Sequence, residues 1–325
     1  MKVSVVIPNW NGRELLGDCL SSLRAQTQKH QVIVVDNGSS DDSVEYIKNE
    51  FPEVEIIQLD KNYGFTSGVN PGIKKAMLGG AQFVALLNND AQADKNWLAS
   101  LVKTANNHPR VGIVASKIMR ADREHLDSTG EVYTIWGLSF PRGRNEVDKG
   151  QYDNQQVIFG ASGGASLYRV KMLEEIGLFD EDFFAYFEDV DISFRAQLAG
   201  WKVRYEPNAV VYHQIGATSS KLGSLARYHS AKNFMLLYAK NMPLKLYFKY
   251  LPLFILQFIR WSVSSMIRFR LLVFIKGSVA ACWQHPRTLK KRRQIQKNRK
   301  VSVKYIDKLL YHHRPPRPPK LEKTL

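Results

Sequence analysis

Cysteine is scarce in this chain of 325 residues, which contains only Cys19 and Cys282. The two are far apart and show no metal-ligand spacing, so the sequence predicts neither a disulfide framework nor a zinc site. A reducing cytosol is therefore the expected compartment. The first ten residues, MKVSVVIPNW, contain one short apolar run and no cleavage signature, and we interpret them as a strand and not as a signal peptide.

Long uncharged hydrophobic runs are also missing. In the apolar segment near the C-terminus the longest are residues 250–259 and 261–267, ten and seven residues long, whereas a membrane-spanning helix needs about 20. Four basic residues interrupt the segment, namely Arg260, Arg268, Arg270 and Lys276. Apolar helices interrupted by Lys and Arg are typical of helices that lie in the plane of a membrane surface.

Acidic residues are nearly absent from the last third of the chain. Residues 221–325 contain 24 Lys and Arg but only Asp307 and Glu322, a balance of +22, whereas residues 1–220 carry 22 Lys and Arg against 28 Asp and Glu, a balance of −6. This division predicts two regions, a globular domain over residues 1–220 and a basic, membrane-associating extension over residues 221–325. The basic region requires an anionic partner.

Neither a GxGxxG fingerprint nor a P-loop sequence occurs, and we find no internal repeat. The first half instead alternates apolar runs with amphipathic stretches. KVSVVIP, QVIVVD, VEIIQL, QFVALL and VGIVASKI read as strands, with helical patterns between them. Strands without internal alternation, separated by helices, predict an α/β fold with a doubly wound, mainly parallel sheet covered on both faces. Residues 119–158 look less regular, and VIFGASGGASLYR reads as a strand interrupted by small residues.

Polar residues follow four of the predicted strands. The strand ends read PNWNG, DNGSSD, NYGF and NND. Because ligands of such sheets bind beyond the carboxyl ends of the strands, these four stretches predict a binding crevice.

The stretch FFAYFEDVDISFR places Glu188, Asp189 and Asp191 directly after four aromatic residues. Carboxylates beside aromatic rings are costly to desolvate unless they are paired or used in chemistry. The alternative, that all three are favourable charges at a helix N-terminus, does not explain the aromatic residues.

Five motifs occur in an order and spacing that resemble the family-2 inverting glycosyltransferases, in particular the bacterial branch that includes rhamnosyltransferases. They are VSVVIPNWNG, VIVVDNGSSDDS, NYGFTSGVNPGI, FVALLNNDA and FFAYFEDVDISFR, and the match extends from about residue 2 to about residue 240. The resemblance implies a GT-A fold, a nucleotide-sugar donor (UDP, dTDP or GDP linked) and a divalent metal, Mg²⁺ or Mn²⁺.

The resemblance also implies a nucleotide and donor site at the strand ends. The residues concerned are Pro8, Asn9, Trp10, Asp36, Asn37, Asn62, Gly64, Phe65, Asn70, Asn88 and Asn89. In the family, the residue matching Asp36 binds the nucleobase; alternatively Asp36 forms an Asx-turn before the next helix, although Asp41 or Asp42 could cap that helix alone. Gly64 could also serve only a tight turn.

The metal motif of the family, often Asp-x-Asp, is altered here. Asn88 and Asn89 leave Asp90 as the only carboxylate of LLNND. One carboxylate suffices when donor phosphates and water complete the coordination of Mg²⁺. Relatives place a histidine near the metal or diphosphate, which predicts His213 as a second ligand; alternatively His213 is structural.

Inverting transfer requires a base for the acceptor hydroxyl and no enzyme nucleophile. The family assigns that base to the residue matching Asp189. Acceptor contacts are expected from Glu188 and Asp191, although Asp191 could instead cap the following helix. Gly163 and Gly164 would let a sugar approach the backbone, or would only permit tight packing. Lys232-Asn233 replaces the Arg-Asn pair common in relatives and weakens any role as a phosphate clamp.

These residues predict an enzyme that transfers a sugar to a glycan or lipid-linked acceptor at the cytoplasmic face of the cell membrane. A nucleotidyltransferase would also use a doubly wound sheet and a metal, but should show a Gly- and basic-rich stretch where this chain has NWNGRELL. A nucleic-acid-binding protein is a third possibility. Because the basic residues alternate with long aliphatic runs, we expect an anionic membrane surface as the partner and no nucleic acid.

Overall fold

The structure, a computed structural model, describes residues 1–214, 223–316 and 318–319. The boundary predicted between residues 220 and 221 lies outside these residues. The strands, in chain order, are β1 (Val3–Asn9), β2 (Gln31–Asp36), β3 (Glu55–Gln58), β4 (Phe83–Leu87), β5 (Ala91–Ala93), β6 (Val111–Arg120), β7 (Leu126–Ser128), β8 (Glu131–Tyr133), β9 (Ser139–Pro141), β10 (Val157–Ile158), β11 (Ala165–Arg169) and β12 (Lys202–His213).

The helices agree closely with the amphipathic stretches of the first half and continue to the C-terminal region. They are α1 (Arg13–Arg24), α2 (Ser43–Glu50), α3 (Gly64–Leu78), α4 (Trp97–Asn107), α5 (Val170–Ile176), α6 (Glu188–Leu198), α7 (Gly223–Asn241), α8 (Leu244–Ile267), α9 (Leu271–Lys297) and α10 (Val303–Leu309). A short 3₁₀ turn, Glu181–Phe183, precedes α6.

The main sheet has the order β10-β12-β6-β11-β4-β1-β2-β3. Strands β3, β2, β1 and β4 are parallel to one another, and β6 is parallel to β12. Between these two groups lies β11, which is antiparallel to both β4 and β6. The predicted mainly parallel α/β sheet is confirmed, with one reversed strand near its centre.

The interrupted strand predicted over residues 157–169 forms two separate strands. Its first part is β10, at the edge of the sheet, and its second part is β11. The loop of small residues between them crosses two strands, β12 and β6. The sequence prediction was wrong in joining the two parts, because the small residues form a connection between two strands that are not neighbours.

Two hydrophobic clusters cover the two faces of the sheet. One contains the buried faces of α1, α2 and α4, including Leu16 and Trp97; the other contains those of α3, α5 and α6, including Ile73 and Ile192. Strands β1 and β4 are buried on both faces, which explains why their sequences are continuously apolar.

A third cluster joins the C-terminal helices to the rest of the fold. Phe183 and Phe194 pack there with Leu237 of α7, Ala281 of α9 and Ile306 of α10. Helices α7 and α9 cross closely at Gly277, where an added Cβ would lie 2.4 Å from the carbonyl oxygen of Tyr228. Helices α7, α9 and α10 of the basic extension therefore pack against α6 in this third cluster.

Helix α8 continues through Arg260 for 24 residues. Among the described residues, it is the one helix long and apolar enough by length and composition to cross a membrane. The uncharged runs in the sequence underestimate the length of this helix, because Arg260 lies inside it and does not end it. Several of its large apolar side chains are exposed, among them Phe248, Ile255 and Ile259.

Candidate functional site

A cavity of about 490 Å³ lies at the carboxyl ends of the parallel strands. Because β11 runs in the opposite direction, the loop before it reaches the same edge of the sheet as the ends of β1, β2 and β4. The structure brings fifteen of the predicted site residues to the cavity wall: Pro8, Asn9, Trp10, Asn37, Asn62, Gly64, Phe65, Asn88, Asn89, Asp90, Gly163, Gly164, Glu188, Asp189 and His213.

One side of the cavity is built from asparagine side chains that bind one another. Asn89 Nδ2 donates to Asn9 Oδ1 at 2.8 Å, and Asn9 Nδ2 donates to Asp36 Oδ1 at 3.1 Å. Gly12 packs against this pair so closely that a Cβ there would lie 2.1 Å from Asn89 Nδ2. These contacts fix the side chains at the ends of β1 and β4.

A second amide pair orders the turn into α3. Asn37 Nδ2 donates to Asn62 Oδ1 and to the Gly64 carbonyl, at 3.1 and 2.9 Å. Gly64 has a φ of 84°, which a larger residue would adopt only with strain. The glycine is thus required by the turn, and it also lies against the ring of Phe184.

Two residues predicted to bind the donor do not line the cavity. Asp36 is buried behind Asn9, and its carboxylate accepts hydrogen bonds from Asn9, from the Ser39 hydroxyl and from the Ser39 backbone. Asn70 is buried under α3, where its side chain binds the backbone of Phe179 and the carboxylate of Glu181. In this structure both polar groups bind other parts of the protein, and their contacts with a donor stay predictions.

At one end of the cavity, four charged or titratable residues form a chain of contacts. His213 Nε2 lies 3.0 Å from Asp90 Oδ1, His213 Nδ1 lies 2.9 Å from Asp127 Oδ2, and Arg144 Nη2 lies 2.6 Å from Asp127 Oδ1. The antiparallel pairing of His213 with Ala91 places the histidine beside Asp90. Although burial by itself lowers the pKa of His213, hydrogen bonds to Asp127 and Asp90 raise it to about 9.

The donor set fits a divalent cation only in part. Asp90 would supply an oxygen ligand and His213, after loss of the proton on Nε2, a nitrogen ligand. Asp127 would orient the ring through Nδ1, as carboxylates commonly do for metal-bound histidines. No cluster of three His, Cys, Asp or Glu suited to a metal ion occurs in residues 1–214, 223–316 and 318–319. An ion here would therefore need further oxygen ligands from a substrate or water.

Three further carboxyl groups line the cavity, those of Glu131, Glu188 and Asp189. Burial raises the pKa of Glu188 well above its ordinary value, and Asp189 adds to the effect. Burial also raises the pKa of Asp189, although hydrogen bonds from the backbone of Gly163 and Val190, at 3.1 and 2.8 Å, oppose the rise. Glu131 has a pKa raised to about 8 by burial and by the nearby Asp189. One oxygen of Glu188, Oε2, is buried without a hydrogen-bond partner in the described part of the chain, and Glu188 lines the cavity.

The backbone before α6 is strained. We call residues 180–187 the strap. Within it, Phe184, Tyr186 and Phe187 have φ of 63°, 71° and 70°, a conformation that costs about 1 kcal/mol or more for each such residue. These three rings and Ala185 line the cavity. Backbone strain of this kind persists only where the surrounding structure enforces it.

Asp191 is placed differently from both of its predicted roles. The helix starts at Glu188 with Phe187 as its N-cap residue, so Asp191 lies inside the first turn and caps nothing. Its carboxylate is buried between Arg195 Nε and Lys240 Nζ, at 2.8 Å from each. Burial alone would raise the pKa of Asp191, but the two cations lower it. Its carboxylate is thus used within the protein, and the predicted acceptor contact stays a prediction.

Sequence reasoning missed several residues of the cavity wall. They are Glu131, Ser139, Pro141, Arg144, Ser162, Phe184, Ala185, Tyr186, Phe187, Val190 and Ser230. Residues 131–144 belong to the segment that looked irregular, which carries no periodicity to place its polar side chains. The aromatic residues of the strap were noticed in the sequence but were not assigned to the site.

The fold and the cavity together are those of an enzyme that binds a ligand at the carboxyl edge of a doubly wound sheet. The model of glycosyl transferase family 2 matches residues 4–177, more than half of the chain, and the chain belongs to this family. It is therefore a glycosyltransferase, which confirms the resemblance seen in the motifs and excludes the nucleotidyltransferase alternative.

Several curated proteins and solved structures are similar to the chain, among them the following three. It is 28% identical over 234 residues to the N-acetylglucosaminyl-diphospho-decaprenol L-rhamnosyltransferase of Mycobacterium tuberculosis, covering 65% of this chain and 76% of that protein. The crystal structure of S. aureus TarS 1–349 in complex with UDP has a TM-score of 0.57 at 16% identity, covering 96% of this chain and 93% of that one. The mannosyltransferase PcManGT from Pyrobaculum calidifontis, in complex with GDP-Man and Mn²⁺, has a TM-score of 0.54 at 15% identity, covering 87% and 86%. The structural likeness confirms the predicted GT-A fold.

Proposed function

We propose that this glycosyltransferase transfers a sugar, with inversion, from a nucleotide-diphosphate donor to a hydroxyl of a glycan or lipid-linked acceptor. The observation that carries the proposal is that a single cavity is lined by both the Asp90–His213 pair and the Glu188–Asp189 pair. Transfer needs a site for the leaving diphosphate and a base for the attacking hydroxyl within one space.

The nucleotide is assigned to the asparagine side of the cavity. Asn9, Asn37, Asn62 and Asn89 offer amide groups in a fixed arrangement beside the ring of Trp10, a surface suited to a nucleoside. The S. aureus TarS structure contains UDP and the Pyrobaculum mannosyltransferase structure contains GDP-Man, which supports a nucleotide-sugar donor without deciding between UDP, dTDP and GDP.

Asp90 and His213 would hold the divalent metal, Mg²⁺ or Mn²⁺, together with the donor phosphates. The presence of Mn²⁺ in the mannosyltransferase structure supports this assignment. When bound, such an ion neutralises charge on a departing diphosphate. Asp127 and Arg144 orient His213, and Arg144 adds a positive charge to the cavity wall.

Asp189 is assigned as the general base. Burial raises the pKa of Asp189 towards the pH at which the enzyme works, and this makes the carboxylate a stronger base for the acceptor hydroxyl. The backbone amide of Gly163 holds one of its oxygens in place. Glu188, whose raised pKa favours the neutral form, has an unpartnered oxygen available for an acceptor oxygen.

The test is Asp189→Asn, which keeps the size of the side chain but removes its ability to accept a proton. We expect a loss of turnover of about 10² to 10⁴-fold with little change in donor affinity, measured by product formation and by calorimetric titration with the nucleotide sugar. Asp60→Asn, which removes an exposed carboxylate outside the cavity, is the control. Near-normal turnover of Asp189→Asn would show that another group is the base.

We further propose that the α8–α9 hairpin binds an anionic membrane at its cytoplasmic face. Phe269, at the turn between the helices, is 98% exposed, and Ile267 and Leu272 beside it are 69% and 66% exposed. Arg268 and Arg270 flank Phe269 and are also exposed. An apolar tip flanked by arginines suits insertion at a lipid headgroup layer.

A further inference from the structure

The strap needs support from outside the sheet. Three of its residues hold a left-handed backbone conformation that their large side chains disfavour. On the nucleotide side it is held by one backbone contact, in which the Thr66 amide donates to the Phe184 carbonyl at 3.2 Å. Other backbone carbonyls of the strap face α7.

A single side chain of α7 binds three of these carbonyls. Asn233 is fully buried, and its Nδ2 donates to the carbonyls of Phe183, Ala185 and Tyr186 at 2.8, 2.9 and 2.8 Å. One amide nitrogen with two hydrogens thus serves three acceptors spread over four residues. Such a contact pattern can be made only when the backbone is folded back on itself.

Neighbouring residues hold the start of the strap. Lys232 donates to the Asp182 carbonyl, Lys240 pairs with Asp180, and Lys291 of α9 pairs with both Asp180 and Asp182. Asn233 is the member of this group that contacts the strained part. It does not line the cavity, so any effect on the reaction must act through the strap.

We propose that Asn233 is a positioning residue for sugar transfer. It holds the strap in place, and the strap leads directly into Glu188 and Asp189. The inference rests on the proposed function, since it concerns the placement of the proposed base. Phe187, the last residue of the strap, is the N-cap residue of α6. Loss of the amide would leave three carbonyls without this partner and let the strap relax, which moves Asp189 relative to the acceptor hydroxyl.

This role differs from the one suggested by the sequence. In the sequence, Lys232-Asn233 replaces an Arg-Asn pair and indicates at most a weak phosphate clamp. In the structure neither side chain reaches the Asp90–His213 end of the cavity; both bind backbone carbonyls of the strap.

The experiment compares Asn233→Ala with Asn241→Ala. Asn241 is the same residue type on the same helix and is equally buried, but its amide binds the carboxylate of Asp191 and no strap carbonyl. Asn233→Ser, which leaves a smaller cavity and keeps one donor, carries the test if the alanine variant does not fold. For each variant we measure kcat, KM for the donor, donor affinity and the melting temperature.

We expect Asn233→Ala to lower kcat by about 10²-fold, the loss typical of a misplaced reacting group, with donor KM and affinity within about twofold of the wild type. Asn233→Ser should lose less. Asn241→Ala should lower the melting temperature by a similar amount but leave kcat within about threefold of the wild type. The inference is overturned if Asn233→Ala has the kcat of the wild type or the same kcat as Asn241→Ala. It is also overturned if the loss of donor affinity is as large as the loss of kcat.

Asp189→Asn, measured beside these variants, separates this inference from the proposed function. If Asp189→Asn is inactive while Asn233→Ala has normal kcat, only the positioning role is wrong. If Asp189→Asn remains active, the assignment of the base fails, and the positioning role of Asn233 fails with it.

Discussion

The two walls of the cavity are built in different ways. The asparagine wall consists of neutral amide side chains at strand ends, and its hydrogen bonds join residues within the first 90 positions of the chain. The carboxylate wall consists of carboxyl groups and the strained strap, and Asn233 and Lys291 are among the residues that hold the strap in place. One wall is therefore a local product of the sheet, whereas the other depends on the C-terminal helices.

The difference indicates that the carboxylate wall can change in sequence separately from the asparagine wall. Changes in α7 or α9 reach the carboxylate wall without touching the asparagine network. The walls should accordingly respond differently to substitution: changes at the Asp90 end should affect ligands more than stability, and changes behind the strap should affect stability as well.

The largest effect is expected for Asp90→Ala. Removal of the sole carboxylate of NND should lower turnover by about 10³-fold, because a metal contributes several kcal/mol to stabilising a leaving group. It should also abolish Mn²⁺ binding in the presence of nucleoside diphosphate, measured by water proton relaxation. Asp94→Ala, four residues further on and outside the cavity wall, is the control. Retention of Mn²⁺ binding by Asp90→Ala would contradict the assignment.

Behind the strap, Asp191→Asn should cost about 3 to 5 kcal/mol of unfolding free energy, because it removes one partner of a buried ion pair with Arg195 and Lys240. The measurement is urea unfolding at neutral pH. Glu175→Gln breaks the exposed pair with Lys300 and should cost about 0 to 1 kcal/mol. Equal losses in the two variants would show that burial of the Asp191 network adds nothing.

Glu131→Gln sharpens the electrostatic side of the comparison. The pKa of Glu131 is raised from 4.5 to about 8 in the folded chain. Between these two pH values the carboxyl group is ionised in the unfolded chain but stays protonated in the folded chain, so the free energy of unfolding falls as the pH rises. A pKa difference of one between the folded and unfolded chains corresponds to about 1.4 kcal/mol. The variant should gain stability over the wild type as the pH rises from 5 to 8, in urea unfolding at both values. A gain that is the same at both pH values would contradict the assignment.

The smallest effect is expected at the hairpin tip. Replacement of Arg268 and Arg270 by Gln should weaken binding to phosphatidylglycerol vesicles by about 1 kcal/mol per charge, and the remaining binding should depend less on salt. The matched control replaces Lys48 of α2 and Lys74 of α3, both exposed, by Gln. If both pairs of substitutions weaken binding equally, the attraction comes from overall charge and not from the tip. Substitution is preferable to truncation, because the third hydrophobic cluster includes α7, α9 and α10.

The sequence predicts the sheet, its helices and the placement of the asparagine wall well, because these depend on local periodicity and on the polar ends of parallel strands. Asn9, Asn37, Asn62 and Asn89 could be found for this reason. Asp36 ends β2 and Asn70 lies within α3. Both side chains are buried, and their hydrogen bonds with Ser39 and Phe179 could not be predicted from the sequence.

The carboxylate wall could be predicted only in part. Glu188 and Asp189 could be recognised because they follow aromatic residues. The partners of Asp191 are Arg195, four positions away, and Lys240, 49 positions away, and no local pattern in the sequence predicts the contact with Lys240. Glu131 and Arg144 lie in a segment of short strands without a clear period. The positive φ angles of the strap occur at residues whose types do not favour them, so no sequence rule would place them there.

The reversed strand β11 has a consequence for biosynthesis. It lies between β4 and β6, which are both synthesised before it. A nascent chain that ends before residue 165 therefore leaves β4 and β6 without the strand that joins them, and such unpaired strands pair readily with other chains. The two groups of parallel strands are joined only after β11 has been synthesised, which makes N-terminal fragments of this chain poor starting points for recombinant expression.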